Sequence, residues 1–72
     1  MSITKSINIQ GVSSKSFENA IEVAYEEVSQ TIDHIFEIKV IGLNCTIRDG
    51  KIHEYIADTK ISFKVDTERA KS

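Results

Sequence analysis

Two long runs of alternating residues meet at Asp49-Gly50, and that junction constrains the chain more than any other feature. Asp-Gly between alternating runs is the strongest short-range hairpin signal, because a type I′ turn needs positive φ at both central residues. With a two-residue loop, register follows by counting outward: Arg48 opposes Lys51 and Ile47 opposes Ile52. The same count sets Asn44 against Tyr55, Val40 against Thr59, Ile38 against Ile61 and Phe36 against Phe63 on one face. The other face pairs Cys45 with Glu54, Leu43 with Ile56 and Ile41 with Asp58. The apolar residues therefore change face along the hairpin, with Phe36, Ile38 and Val40 on one side and Ile41, Leu43, Cys45 and Ile47 on the other. A chain this small has one core, so the second face needs its own explanation.

The residues upstream sharpen the problem. Ile3, Lys5, Ile7 and Ile9 alternate with polar residues, so residues 2–10 read as a first strand that Gly11 ends. Ser13 or Ser14 is a good N-cap for a helix beginning just after it. Phe17, Ala20, Ile21, Ala24, Val28 and Ile32 recur at three- and four-residue steps, which predicts an amphipathic helix over about residues 14–32. Its other face carries Glu18, Glu22, Glu26 and Glu27, and no basic residue stands between Lys15 and Lys39. Such a helix is roughly 28 Å long, whereas each hairpin arm runs roughly 43–46 Å. One helix cannot cover that hairpin. The base packs on the helix through Phe36, Ile38, Ile61 and Phe63, and the tip needs another copy of the chain. Ile41, Leu43, Cys45, Ile47, Ile52 and Ile56 are the expected interface residues, with a bulge or bend at Gly42 where the faces change over. The fold class is α+β: a β-α-β-β chain whose three-stranded antiparallel sheet, in the order 1-3-2, wraps one amphipathic helix.

Seventy-two residues make one domain, spanning 1–72 with its core at about 3–66 and a flexible tail at 67–72. Chains of this size bury only roughly 60% of the surface that their unfolded form exposes, so they lean on disulfides, metals or self-association. Cys45 is the single cysteine, and His34 and His53 make no zinc-like spacing with it. Self-association is the remaining route. A net charge of −2 gives no case for nucleic acid. With no charged, apolar leader, no run of membrane-spanning length and a lone thiol, the expected compartment is the cytoplasm. Catalysis has little support: Cys45 faces Glu54 rather than a histidine, and Thr46 opposite His53 at the hairpin tip reads as structural. The chain is not expected to be an enzyme.

Several short stretches, taken together, resemble the dodecin family. They are Gly11-Val12-Ser13, Ser16-Phe17-Glu18-Asn19-Ala20-Ile21, Asp49-Gly50-Lys51-Ile52, Glu54-Tyr55 and Ile61-Ser62-Phe63-Lys64-Val65. Order, spacing and length match without a gap over residues 3–66. The resemblance implies a hollow homododecamer of tetrahedral symmetry with its helices outward, storing or sequestering flavins at two-fold interfaces. It also embraces flavin-free relatives, among them calcium binders, and members that bind coenzyme A. A tryptophan that stacks on the flavin ring falls at Glu37, a glutamine that contacts the ring falls at Ile56, and an arginine that serves the phosphate of FMN falls at Asn44. The resemblance thus implies a flavin site, for FMN or riboflavin, whose three positions are substituted. The expected function is a non-catalytic storage or sequestration oligomer with that site lost or repurposed. The alternatives are flavin binding by an altered geometry, and calcium or another cation held by Glu37 and helix carboxylates. A carboxylate paired with Lys39 or Lys60 of a neighbouring copy is the plainer role for Glu37.

Overall fold

The computed structural model describes residues 2–66, in the order β1 (Ser2–Ser13), α1 (Phe17–Ser29), β2 (Ile35–Arg48) and β3 (Lys51–Asp66). The strands form one antiparallel sheet in the order β1-β3-β2, the expected topology. The flexibility expected of 67–72 concerns residues outside those described.

Gly11 does not end the first strand. It pairs with Ala57 in mid-ladder, and a Cβ at Gly11 would overlap the carbonyl oxygen of Ala20 on the helix. Missing side chains, not a turn, are what the sequence needs there. The helix starts later than its periodicity suggested, because Ser16 is the cap: its backbone is extended (φ −169°) and its Oγ accepts the Asn19 N–H at 2.9 Å. Ser13 has another task. Its hydroxyl donates to Asn19 Oδ1 at 2.7 Å and accepts the Lys15 N–H at 2.9 Å, tying the strand end to the first helical turn. At the far end the Thr31 and Ile32 N–H groups both reach the Val28 carbonyl, and His34, at φ 66°, turns the chain into β2.

Ala20, Ala24 and Val28 press onto Ala57 and Ile61, and all five are buried. Small residues on both sides let the backbones approach closely. Thr59 is buried too, with its hydroxyl donating to the Ile9 carbonyl at 2.8 Å, so the core leaves that polar group satisfied. Phe17 meets Tyr55 edge-on, with ring centroids 5.0 Å apart.

Asp49 (φ 53°) and Gly50 (φ 74°) form the two-residue turn that the sequence signals. Nothing lies within 4 Å of a Cβ built at Gly50, so the constraint there is conformational. Gly50→Val is expected to lower the unfolding free energy by about 1–2 kcal/mol, read from a denaturant midpoint. Gly50→Asn should lose much less, since asparagine tolerates this region of φ.

The register beyond the turn departs from simple counting. Arg48–Lys51 and Ile47–Ile52 pair as expected, and then three one-residue irregularities intervene. His53 is extra between Ile52 and Glu54, so Thr46 opposes Glu54, Cys45 opposes Tyr55, Asn44 opposes Ile56 and Leu43 opposes Ala57. Ile41 is extra between Val40 and Gly42, which restores the expected Val40–Thr59 and Ile38–Ile61 pairs and sets Gly42, not Ile41, against Asp58. Phe36 is extra between Ile35 and Glu37, so Ile35 rather than Phe36 opposes Phe63.

These bulges answer the change of face. Each inserts one residue into a two-residue period and so rephases the strand. Paired residues share a face, and Ala57 and Ile61 face the helix; hence Ile35, Ile38, Val40, Leu43, Cys45 and Ile47 all lie on the helix side of β2. The expectation that Leu43, Cys45, Ile47 and Ile52 lie on the opposite face is corrected by the extra residue at Ile41. Only Ile56, across from Asn44, does so.

One helix still fails to cover the sheet. At 13 residues it is only about 20 Å long, and it lies over β1 and β3 and barely touches β2. Leu43, Ile47 and Ile52 are 49, 64 and 52% exposed. The described residues measure 58 × 20 × 13 Å with a radius of gyration of 15.3 Å, against about 11 Å for a compact chain of this size.

Candidate ligand site

The sheet face turned away from the helix carries Glu37, Asn44 and Ile56, the three residues that the resemblance singles out. Glu37 is exposed and opposes Ser62, whereas Asn44 directly opposes Ile56. Ser62 and Ile56 stand six positions apart on β3, or roughly 20 Å of strand, so a single chain does not bring Glu37 to Ile56. Asn44 and Ile56 are brought together. Val12 flanks Ile56 on the other side, so that row of the sheet is apolar except for the Asn44 amide.

Phe36 stands on this face as well, contrary to its expected place against the helix. The bulge turns it outward, where it is 52% exposed, and the Lys64 ammonium sits 5.3 Å from its ring centroid. Lys64 follows the helix-facing Phe63 and therefore points away from the helix. On the next rows Ser62 bridges Ser6 and Glu37, and Lys60 stands between Asn8 and Lys39. Simple counting missed Phe36 because it cannot place a bulge. The signal was the apolar doublet Ile35-Phe36, in which alternation fails for one step.

The remaining expected residues lie elsewhere. Ile41 is the bulge residue, 57% exposed on β2, and Cys45 is exposed on the helix side across from Tyr55. A cleft of about 390 Å³ opens between the end of the helix and the last residues of β3, lined in part by Ile32, His34, Phe63 and Val65. It contains none of the expected site residues. Among the described residues no three His, Cys, Asp or Glu side chains gather as a metal site within one chain.

A family model described as Dodecin matches residues 3–66. This chain belongs to the dodecin family. The calcium-chelating dodecin of Mycobacterium tuberculosis, described as having a novel calcium-binding site, is 30% identical, with 92% of this chain and 94% of that one covered and a TM-score of 0.79. Dodecin from Streptomyces davaonensis is 23% identical over 90% of this chain and 96% of its own, at a TM-score of 0.86. A point variant of the Thermus thermophilus dodecin gives 23% identity, 92 and 98% coverage and a TM-score of 0.87. No curated protein matches the sequence. The β-α-β-β chain with order 1-3-2 is thus the dodecin fold, and no helix of the described residues is long and apolar enough to cross a membrane.

Proposed function

We propose that this dodecin is a non-catalytic homo-oligomer, a dodecamer, that stores or sequesters a small molecule, and that the flavin grip of its family is lost. Residues 1–72 act as one domain in this reading, working in the cytoplasm. The observation that carries the loss is Glu37, an exposed carboxylate at the position where a dodecin flavin ring stacks on tryptophan. A carboxylate offers no flat apolar surface, and closing a ring over it strips its water at a cost. Ile56, at the glutamine position, has no group to meet the ring's polar edge, and Asn44 brings no charge to a phosphate.

Losing one stacked aromatic forfeits about 0.5–1.5 kcal/mol beyond area burial, and the lost burial adds to that. Riboflavin and FMN are therefore expected not to be quenched at submicromolar protein, and the purified protein should lack a flavin spectrum. The double change Glu37→Trp with Ile56→Gln should restore quenching, and each single change should recover less because both groups grip one ring. Submicromolar quenching by the unmodified protein would make it a working flavin store instead.

Calcium is the competing ligand, because the M. tuberculosis relative chelates it and Glu37 is a hard oxygen donor. The described residues of one chain do not gather the ligands, so such a site would combine carboxylates from several copies. A rise in melting temperature with calcium that Glu37→Gln abolishes would favour it.

A further inference from the structure

We propose that Asp49 is a site of spontaneous modification: in the folded chain its linkage to Gly50 converts to isoaspartate, and the conversion unseats the hairpin tip. The effect on assembly rests on the homo-oligomer reading above, whereas the modification itself does not.

The first observation is how little holds the turn. Arg48 and Lys51 close the ladder as a directly opposed pair, so Asp49 and Gly50 lie outside it. Among the described residues no hydrogen bond or ion pair engages the Asp49 carboxylate or the Gly50 N–H. Both residues are exposed, and nothing lies within 4 Å of a Cβ built on Gly50, so water reaches the peptide between them.

The second observation is conformational. Asp49 at φ 53° and Gly50 at φ 74° form a type I′ turn. Flipping the peptide between them gives a type II′ turn, the other two-residue hairpin turn, and keeps the Arg48–Lys51 closure. In that turn ψ of Asp49 is about −120°, the mirror of the type II value. At that ψ the Gly50 nitrogen eclipses the Asp49 Cβ, which sets it within ring-closing reach of the carboxyl carbon. Glycine accepts either sign of φ and puts no side chain beside the attacking nitrogen. Aspartate visits such a ψ at positive φ rarely, so the reaction is slow ageing rather than a rapid switch.

The step balances in itself. The Gly50 nitrogen bonds to the Asp49 carboxyl carbon. One carboxyl oxygen leaves as water with the amide proton and a proton from solvent, and a succinimide ring remains. Water then adds at the original main-chain carbonyl, breaks its bond to the Gly50 nitrogen and returns a proton to solvent. The chain now runs through the former side-chain carbonyl, with an extra carbon in the loop and the carboxylate on Cα. A lengthened loop no longer matches the turn that fixes register, so the Ile47–Ile52 pair just below Arg48 and Lys51 loses its alignment. Both isoleucines are exposed, on the apolar strip assigned to a second copy.

Other aspartates serve as internal controls. Asp58 lies in mid-ladder between Gln10 and Gly42 and precedes the buried, β-branched Thr59. Asp33 precedes His34, whose side chain crowds the nitrogen.

The test is to age the purified oligomer at neutral pH in heavy-oxygen water and to map its peptides at intervals, with native mass on the same samples. The peptide holding Asp49 is expected to split into two species, the isoaspartyl one carrying a heavy oxygen, while those holding Asp33 and Asp58 stay single. Gly50→Ala should slow the conversion about tenfold. Asp49→Glu, which would have to close a larger ring, should show none and should keep its native mass through the same ageing. In the unmodified protein the converted chains should collect in species smaller than the parent oligomer. No isoaspartate in the oligomer over the time in which the urea-unfolded chain is half converted would overturn the proposal, as would conversion of Asp58 at an equal rate. Converted chains spread evenly through an intact oligomer would overturn the effect on the tip and leave the homo-oligomer reading standing. A sample that is monomeric from the outset would refute that reading, and the peptide map would still decide the modification.

Discussion

Gly11→Ala is expected to lower the unfolding free energy by about 3 kcal/mol, the upper end of the cost of overpacking a core. The added methyl would overlap the Ala20 carbonyl oxygen and stand 3.1 Å from the Ala24 methyl. The first of these is helix backbone and cannot swing aside. The helix must lift, and lifting it loosens the contacts of Ala20, Ala24 and Val28 on Ala57 and Ile61 together. A chain with so small a core has little to spare, since single domains are stable by only about 5–15 kcal/mol. The measurement is the urea midpoint of Gly11→Ala against that of Gly42→Ala. At Gly42 nothing lies within 4 Å of the new Cβ, so that midpoint should move by less than about 0.5 kcal/mol equivalent. Equal midpoints for the two variants would mean that the helix does not sit where Gly11 lets it sit.

The same glycine illustrates what the sequence can reveal. Read alone, Gly11 after an alternating run looks like a terminator, because local rules know only turns and propensities. Its real reason is a helix that returns over the strand, a contact no window around residue 11 contains. Asp49-Gly50 was legible because its cause is local: two residues at positive φ, each of a type that tolerates it. Strand order came from connectivity and needed no side-chain detail.

The bulges were legible only in part. Ile35-Phe36 and Val40-Ile41 are doublets that break alternation, and each holds a bulge residue; His53 carries no such mark. Counting through them reversed the face of everything between Ile41 and Ile47. The candidate ligand face suffered most, because Phe36 moved onto it unannounced. The places of Glu37, Asn44 and Ile56 on that face come from their partners, Ser62 for Glu37 and each other for Asn44 and Ile56.

Leu43→Asp is the other change of large expected effect, and it acts on assembly rather than on the fold of one chain. Leu43 opposes Ala57 on the helix side of β2, yet the helix leaves it 49% exposed beside Val40, Ile47 and Ile52. An apolar strip of this length on a chain 58 Å long is the kind of surface that a second copy covers. An aspartate there keeps its water in the lone chain, so the monomer should still form its hairpin. Burying the charge against an apolar partner without a counter-ion costs several kcal/mol at each contact, and a symmetric oligomer repeats the cost in every subunit. Native mass at micromolar concentration should therefore shift from a single large oligomer to small species. Glu26→Lys, a charge reversal on the exposed outer side of the helix, should leave the large oligomer intact. If Leu43→Asp assembles as the unmodified chain does, the strip on β2 faces solvent in the oligomer, and the contacts that hold the copies together lie elsewhere on the sheet.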